Sequence, residues 1–201
     1  MAYRIITISR QFGSGGRSIG HKLAERLGFA YYDKELVKQV ATVTGFAPEY
    51  IEEKGEYAPN RSKLSYLFTT VGTAGVMNGM SAADYLYTMQ RKVILDLAEK
   101  GDCVIVGRCA DYILRDREDT FNAFIHAPTA YRAERIVRLY GESEQSPEKR
   151  LSDKDGKRRV NYEHFTGRKW GAAENYDICL NTAAIGEDNC VELLYRIVKG
   201  E

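Results

Sequence analysis

The stretch from Tyr3 to Gly28 constrains the fold more than any other part of the chain. It opens with an apolar, β-branched run of a strand's length that contains Ile5, Ile6 and Ile8. A glycine-rich turn follows, and apolar residues then recur at helical spacing as far as Gly28. Strand, glycine-rich turn and helix in this order direct backbone N–H groups and the positive end of a helix dipole at one point. Such a point suits a phosphate.

The turn and the start of the helix supply the candidate phosphate-binding residues, which are Gly13, Ser14, Gly15, Gly16, Arg17 and Ser18. The standard pattern G-x-x-x-x-G-K-[ST] places a lysine after its second glycine. This loop ends GGRS and has no lysine, but Arg17 can put a cation on a phosphate and Ser18 can offer a hydroxyl to Mg²⁺. The alternative is a plain turn whose glycines serve only tight packing. The strand before it and the helix after it favour the phosphate interpretation.

Composition narrows the class of protein. The 201 residues fit one domain with a small inserted or mobile part, and a net charge of +1 gives no general indication of nucleic acid or membrane as a partner. No apolar run approaches the ~20 residues of a membrane span and no signal peptide precedes Ile5, so we expect a cytoplasmic protein. The four cysteines form no C-x-x-C pair, and buried thiols are expected rather than disulfides or a zinc site.

Apolar runs of strand length alternate with helical patterns along the rest of the chain. Strands are predicted at the first run and at Phe29–Tyr32, Cys103–Val106, Phe121–Ile125 and Tyr176–Leu180, and helices at Lys34–Thr42, Ala82–Lys100 and Cys190–Val198. A short acidic helix is expected within residues 45–60, and residues 62–79 fit either a substrate cover or a subunit contact. The alternation predicts an α/β domain with a mainly parallel sheet.

Candidate site residues follow three of the predicted strands directly. The glycine-rich loop follows the first strand, Asp33 follows the second, and Gly107 and Arg108 follow the third. Ligands of parallel sheets gather at the carboxyl ends of the strands. We therefore expect these three groups to converge on one site.

Residues 132–169, which we call the basic segment, hold eleven Lys or Arg and seven Asp or Glu, a balance of 11 − 7 = +4. Arg132, Arg135 and Arg138 recur at intervals of three on a predicted helix, and the run DKDGKRR follows. The segment can be a solvated helix face, a short nucleic-acid-binding surface, or a mobile flap whose arginines close over transferring phosphates. A phosphate-binding loop elsewhere in the chain favours the flap.

Together, several blocks resemble the cytidylate kinase-like family, a bacterial branch of the P-loop nucleoside monophosphate kinases. The blocks are ITISRQFGSGGRSIGHKLAERLG, YYDKEL, CVIVGRCADYIL, the Arg132/Arg135 helix, DGKRR, FTGRKWG and NYDICLNT, and they cover nearly the whole chain. The resemblance implies a three-layer P-loop NTPase fold with a five-stranded parallel core at about residues 1–44, 82–130 and 171–201. It also implies a helical acceptor-binding insertion at about 45–81 and a lid at about 131–170 that closes on ATP.

The resemblance further implies roles for single residues. The loop 13–18 matches the one that holds the ATP phosphates, Asp33 the aspartate that helps place the substrate nucleotide, and Arg108 the arginine that grips its monophosphate. Arg132 and Arg135 resemble the arginines at the start of the lid. Asp155 and Arg158 resemble the D-x-x-R of the lid, which reaches the nucleotide substrate.

The sequence also departs from true cytidylate kinases. They carry the loop lysine where Gly16 stands, a glycine where Arg10 stands, and an aspartate where Cys109 stands. Asp111, two residues further on, is a candidate substitute for that aspartate. Losing the lysine removes a cation from the transferring phosphoryl group, and Arg17 can recover part of that stabilisation by reaching back.

The favoured hypothesis is transfer of a phosphoryl group from Mg²⁺-ATP to a nucleoside monophosphate. Arg17, Arg132, Arg135 and Arg158 would neutralise charge on the moving group, and lid closure would exclude water. Two alternatives stay open at this point: a nucleotide-binding sensor or regulator that has lost efficient transfer, and a kinase of another small phosphorylated metabolite. The sequence does not fix the base, the sugar or the oligomeric state.

Overall fold

The structure is a computed structural model that describes residues 3–54 and 80–201. The expectation for residues 62–79 lies outside the described residues, and so does most of the predicted insertion at 45–81.

Five strands form one sheet in which every neighbouring pair is parallel. They are β1 (Ile5–Arg10), β2 (Ala30–Tyr32), β3 (Cys103–Val106), β4 (Thr120–His126) and β5 (Ile178–Asn181). The order is β2-β3-β1-β4-β5, so β1 occupies the centre, with Ile5 beside both Cys103 and Thr120. The predicted α/β class and five-stranded parallel sheet are confirmed.

Nine helices accompany the sheet in the described part of the chain. They are α1 (Gly16–Leu27), α2 (Lys34–Thr44), α3 (Pro48–Lys54), α4 (Ala82–Lys100), α5 (Ala110–Ile113), α6 (Thr129–Tyr140), α7 (Pro147–Thr166), α8 (Thr182–Ile185) and α9 (Glu187–Lys199). The helix predicted to end at Thr42 runs on to Thr44, because Gly45, at φ +71°, provides the left-handed cap. The last strand starts two residues later than predicted, after a 3₁₀ turn at Ala173–Asn175.

The alternation of side chains along β1 builds three layers. Ile6 and Ile8 face a core that includes buried residues of α1 and α9. Ile5 faces the opposite core, to which α2 and α4 contribute Leu36 and Leu97. Every residue of β1 is buried, as expected of a central parallel strand covered on both faces.

The run DKDGKRR lies inside α7. Along that helix, Leu151, Asp155, Arg158 and Tyr162 are all buried and recur at helical spacing. One face of α7 is therefore packed against the rest of the protein, so the basic segment is more than a solvated helix face.

The four cysteines are free thiols, in line with the sequence, and Cys103, Cys109 and Cys190 are buried. Burial raises the pKa of Cys103 to about 12 and that of Cys190 to about 11. Among the described helices, none combines the length and the apolar character needed to cross a membrane.

Two glycines of α7 make a matched test of backbone conformation. A Cβ would meet nothing within 4 Å at either Gly156, inside the helix, or Gly167, its cap at φ +68°. We expect Gly156→Ala to raise the free energy of unfolding by about 0.5–1 kcal/mol and Gly167→Ala to lower it by about 1–2 kcal/mol, because only the second places a side chain in left-handed backbone. Urea titrations of both variants measure this, and changes of the same sign would contradict it.

Candidate active site

The loop between β1 and α1 is shaped by close packing and by left-handed backbone. Gly13 (φ +80°) and Gly15 (φ +90°) both adopt conformations that favour glycine, and a Cβ at Gly13 would lie 2.9 Å from Cγ2 of Ile136. The hydroxyl of Ser14 lies 2.9 Å from the Gln11 carbonyl oxygen and can donate to it. Within the described residues, no side chain caps the first turn of α1 and that turn holds no acidic residue. The positive end of this helix therefore suits an anion.

The basic segment is docked on this loop through Asp155. One carboxylate oxygen of Asp155 accepts a hydrogen bond from the Phe12 N–H (2.7 Å), and the other accepts one from Arg132 (2.6 Å). Arg132 also donates to the Phe12 carbonyl oxygen (3.0 Å). The Phe12 ring packs on the small core formed by Ile136 and Leu151. The structure thus places Asp155 on the phosphate loop, and its part in acceptor binding stays a prediction.

Arg135 belongs to α6, lies against the first turn of α1, and is paired with a residue that the sequence did not single out. Its Nε donates to Glu187 at the beginning of α9 (2.8 Å), and its Nη2 donates to the Ser18 hydroxyl (3.2 Å). A Cβ at Gly15 would lie 2.9 Å from Cδ of Glu187, so this carboxyl group rests against the loop. No local pattern marks Glu187, because its role depends on α9 folding back beside α1.

Arg17 is directed at the end of β2. Its Nε lies 2.9 Å from one oxygen of Asp33 and its Nη2 donates to the other at 3.3 Å, so the ion pair has two contacts. The Asp33 side chain is buried, whereas that of Arg17 is 41% exposed. The expected convergence of the loop and Asp33 is therefore confirmed, but the proposed reach of Arg17 back over the loop stays a prediction.

The end of β3 carries an unusual run of left-handed backbone. Gly107, Arg108 and Cys109 have φ angles of +76°, +60° and +56°, and the latter two are the described non-glycine residues with positive φ. Strain of this kind concentrates at functional sites. It accompanies a buried Arg108 side chain that donates to the Ile51 carbonyl oxygen in α3 (2.9 Å). Arg108 thus joins the end of β3 to the helix on the predicted acceptor side.

Three arginines from three elements line one cleft at the carboxyl edge of the sheet, and we call it the arginine cleft. Arg10 ends β1, Arg108 follows β3 and Arg158 belongs to α7. Tyr162 and Trp170 complete the wall opposite the strands. Among the described residues that line it there is no carboxylate. Arg158 also lies 3.8 Å from Asp155, which stands outside this lining. Three guanidinium groups that line one cleft suit a phosphate.

Asp111 lies behind this lining rather than in it. It is 3% exposed, accepts a hydrogen bond from the Tyr162 hydroxyl (2.6 Å) and is 3.4 Å from the Ser9 hydroxyl. Burial raises the pKa of Asp111, and these hydrogen bonds act in the opposite direction. Burial and the nearby Asp111 carboxylate also raise the pKa of Tyr162. Asp111 therefore supports the cleft wall through Tyr162 and Ser9.

The part of the chain that the structure describes holds no preformed cluster of metal-ligating side chains. No group of three or more His, Cys, Asp or Glu there is arranged to bind a metal ion. The hydroxyl of Ser18, predicted from the sequence to contact Mg²⁺, accepts a hydrogen bond from Arg135. A second cation on that oxygen is unfavourable, so Ser18 does not fit as a direct ligand in this arrangement, and contact through water stays a prediction.

Comparison with known sequences identifies a family. The model of the cytidylate kinase-like family matches residues 5–184. A cytidylate kinase of Pyrococcus horikoshii is 23% identical over 180 residues, covering 89% of this chain and 80% of the relative. A cytidylate kinase of Ignicoccus hospitalis is 23% identical over 195 residues, covering 96% and 98% respectively.

Solved structures share the same fold. An uncharacterized protein from Eubacterium ventriosum has a TM-score of 0.72 at 25% identity, covering 98% of this chain and 99% of that one. A shikimate kinase from Acinetobacter baumannii, in complex with shikimate, has a TM-score of 0.56 at 16% identity, covering 98% and 94%. A gluconokinase from Sinorhizobium meliloti has a TM-score of 0.53 at 15% identity, covering 100% and 97%. The last two likenesses establish the P-loop kinase fold and nothing finer.

The burial of Asp111 predicts a dependence of stability on pH. Because its pKa is higher in the folded state, the folded protein holds more protons than the unfolded chain above pH ~4. The Asp111 contribution therefore makes the free energy of unfolding fall as pH rises towards the folded pKa, by at most ~1.4 kcal/mol per pH unit. We expect Asp111→Asn to remove this contribution in urea titrations between pH 4 and 7.

The matched control is Asp116→Asn, because the Asp116 side chain is 83% exposed. The control should keep the pH dependence of the wild-type protein. Equal pH dependence in Asp111→Asn and the wild type would contradict the assignment.

Proposed function

The chain belongs to the cytidylate kinase-like family, and on that premise we propose that it transfers the γ-phosphoryl group of ATP to a nucleoside monophosphate. The observation that carries the proposal is the arginine cleft beside the phosphate loop, lined by Arg10, Arg108 and Arg158. In this proposal the loop 13–18 and the start of α1 bind the donor phosphates. Arg108 and Asp33 face the acceptor.

The proposed reaction needs no general base, because a phosphate oxygen of the acceptor is already anionic. That oxygen forms a bond to the γ-phosphorus while the bond from the γ-phosphorus to the β,γ-bridging oxygen breaks. The products are a nucleoside diphosphate and ADP. The protein's part is to position the two phosphates and to stabilise the negative charge between them.

The arginines of the site divide into two groups in this proposal. Arg108 and Arg158 line the cleft and would contact phosphate oxygens there. Arg17, Arg132 and Arg135 each lie 2.6–2.9 Å from a carboxylate oxygen and would act on the moving phosphoryl group only after exchanging that partner. Arg158 lies farther, 3.8 Å, from a carboxylate oxygen of Asp155. Bound Mg²⁺ would supply additional charge neutralisation on the donor phosphates.

In this proposal, Trp170 helps to keep water out of the arginine cleft. It lines the cleft and packs edge-on against Phe124 of β4, with 5.5 Å between ring centroids. Because Trp170 directly follows the basic segment, this contact holds the end of that segment against the sheet beside the cleft. A phosphoryl group held under this cover would be protected from transfer to water.

The first experiment is an assay of ADP release from Mg²⁺-ATP in the presence of CMP, dCMP, UMP, AMP or GMP, with a reaction lacking acceptor as the reference. We expect acceptor-dependent turnover with at least one of them. Rates at the reference level for all five would contradict the proposal. Direct measurement of ATP binding then separates a nucleotide-binding regulator from a protein without a nucleotide site.

Arg108→Ala tests the acceptor side of the cleft. We expect the acceptor KM to rise about 10- to 100-fold, because a hydrogen bond to a charged group is worth about 1.5–3 kcal/mol. The matched control is Arg196→Ala, since the side chain of Arg196 is 62% exposed and pairs with Glu192 within α9. Melting temperatures of both variants control for folding. An unchanged acceptor KM in a folded Arg108→Ala protein would exclude Arg108 from acceptor binding.

A further inference from the structure

The sequence carries two departures from the standard phosphate-loop pattern that mirror each other. In G-x-x-x-x-G-K-[ST] the first glycine stands five positions before the second, and the lysine directly follows the second. Counted from Gly15, the first position is occupied by Arg10 and the lysine position by Gly16. A cation stands where the pattern has glycine, and a glycine stands where the pattern has a cation.

These two positions touch in the folded protein. A Cβ at Gly16 would lie 2.5 Å from Cβ of Arg10 and 2.9 Å from its Cγ. Real Cβ atoms do not approach one another so closely, so the first carbons of the Arg10 side chain occupy the volume in which a side chain at position 16 would begin. The φ angle of Gly16 is not positive. Glycine is required here by the space that Arg10 fills rather than by the backbone conformation.

The position of Arg10 is suitable for contact with a phosphate. It is the last residue of the central strand, it is 4% exposed, and it lines the arginine cleft beside Arg108. Its charge also acts on Tyr31, next to Asp33: burial, the largest influence, raises the pKa of Tyr31 to about 12, and the positive charges of Arg17 and Arg10 oppose that rise. Arg10 thus touches the donor loop at Gly16 and shares a cleft with Arg108, which is assigned to the acceptor.

We propose that Arg10 is the catalytic cation of this loop and does from the end of β1 what the lysine of the standard pattern does from the start of the helix. The proposal rests on the function proposed above. Arg10 would bind oxygens of the β- and γ-phosphates and stabilise the charge that shifts to the β,γ-bridging oxygen as its bond to the γ-phosphorus breaks. A guanidinium group suits this task because it stays charged and can bind two phosphate oxygens at once.

The test removes the positive charge of Arg10 and, in a second variant, restores the residues of the standard pattern at positions 10 and 16. Arg10→Met keeps a side-chain stem against Gly16 and removes the cation, whereas the double variant Arg10→Gly/Gly16→Lys restores the standard arrangement. Gly16→Lys alone forces a lysine stem against Arg10, and Arg10→Gly alone leaves the loop without either cation. Affinity for ATP and for adenosine is measured by calorimetry without acceptor, and kcat is measured with the best acceptor.

We expect Arg10→Met and Arg10→Gly to lose at least tenfold in affinity for ATP, with little change for adenosine, and about 100-fold or more in kcat. Gly16→Lys should also lose ATP affinity, and the double variant should regain most of what either single variant lost. The matched control is Arg4→Met, because Arg4 precedes the same strand at its opposite end and its side chain is 51% exposed. This control should bind ATP like the wild type.

The outcomes separate this inference from the function on which it rests. If folded Arg10→Met binds ATP and turns over like the wild type, or if the double variant binds no better than Arg10→Gly, the role of Arg10 is refuted while the kinase proposal stands. If Arg10 variants lose ATP affinity but no acceptor is phosphorylated even by the wild type, Arg10 keeps its role in phosphate binding and the proposed reaction fails. A wild-type protein that does not bind ATP refutes both.

Discussion

The site depends on β1 being held from both sides. β1 pairs with β3 along one edge and with β4 along the other, and all six of its residues are buried. A strand fixed in this way gives the loop after Arg10 a defined starting point, and β3 ends next to it with Gly107 and Arg108. Because the strands are parallel, every group that follows a strand emerges at the same edge. The sheet therefore sets the relative positions of the site residues.

Charge is the second constraint, because the site buries five arginines: Arg10, Arg108, Arg132, Arg135 and Arg158 are each at most 7% exposed. A buried guanidinium group is costly unless an anion or several acceptors compensate it. Arg132 and Arg135 have this compensation in Asp155 and Glu187. Arg158 lies 3.8 Å from Asp155 and Arg108 donates to the Ile51 carbonyl oxygen, but the described lining of the arginine cleft holds no carboxylate of its own, so a bound phosphate would add compensating charge there. Binding of a phosphate ligand in this cleft should therefore increase the stability of the folded protein.

The sequence predicted the fold better than it predicted the site. Long periodic or continuous apolar runs were placed to the residue, as for Ala82–Lys100 and Cys103–Val106, because local pattern and burial agree there. The short helices α5 and α8 were missed, since four residues give too little periodicity to detect. The sequence correctly placed Asp33 and Arg108 just after β2 and β3, at the carboxyl edge of the sheet, while their roles in binding stay predictions. It could not predict that Arg17 pairs with Asp33, or that Glu187 lies against Gly15, because those contacts join distant segments.

The exchange between Arg10 and Gly16 shows why a loop motif should be read in three dimensions. A linear comparison registers two separate losses, a missing lysine and a missing glycine, and concludes that transfer is impaired. In the fold, the two positions share one volume, in which only one of them can carry a side chain. Keeping a cation at the loop then requires that the other position be glycine, whichever of the two bears the charge. Because both departures are present together, the chain retains a positive charge beside its phosphate loop, and the absence of a lysine is weak grounds for regarding it as inactive.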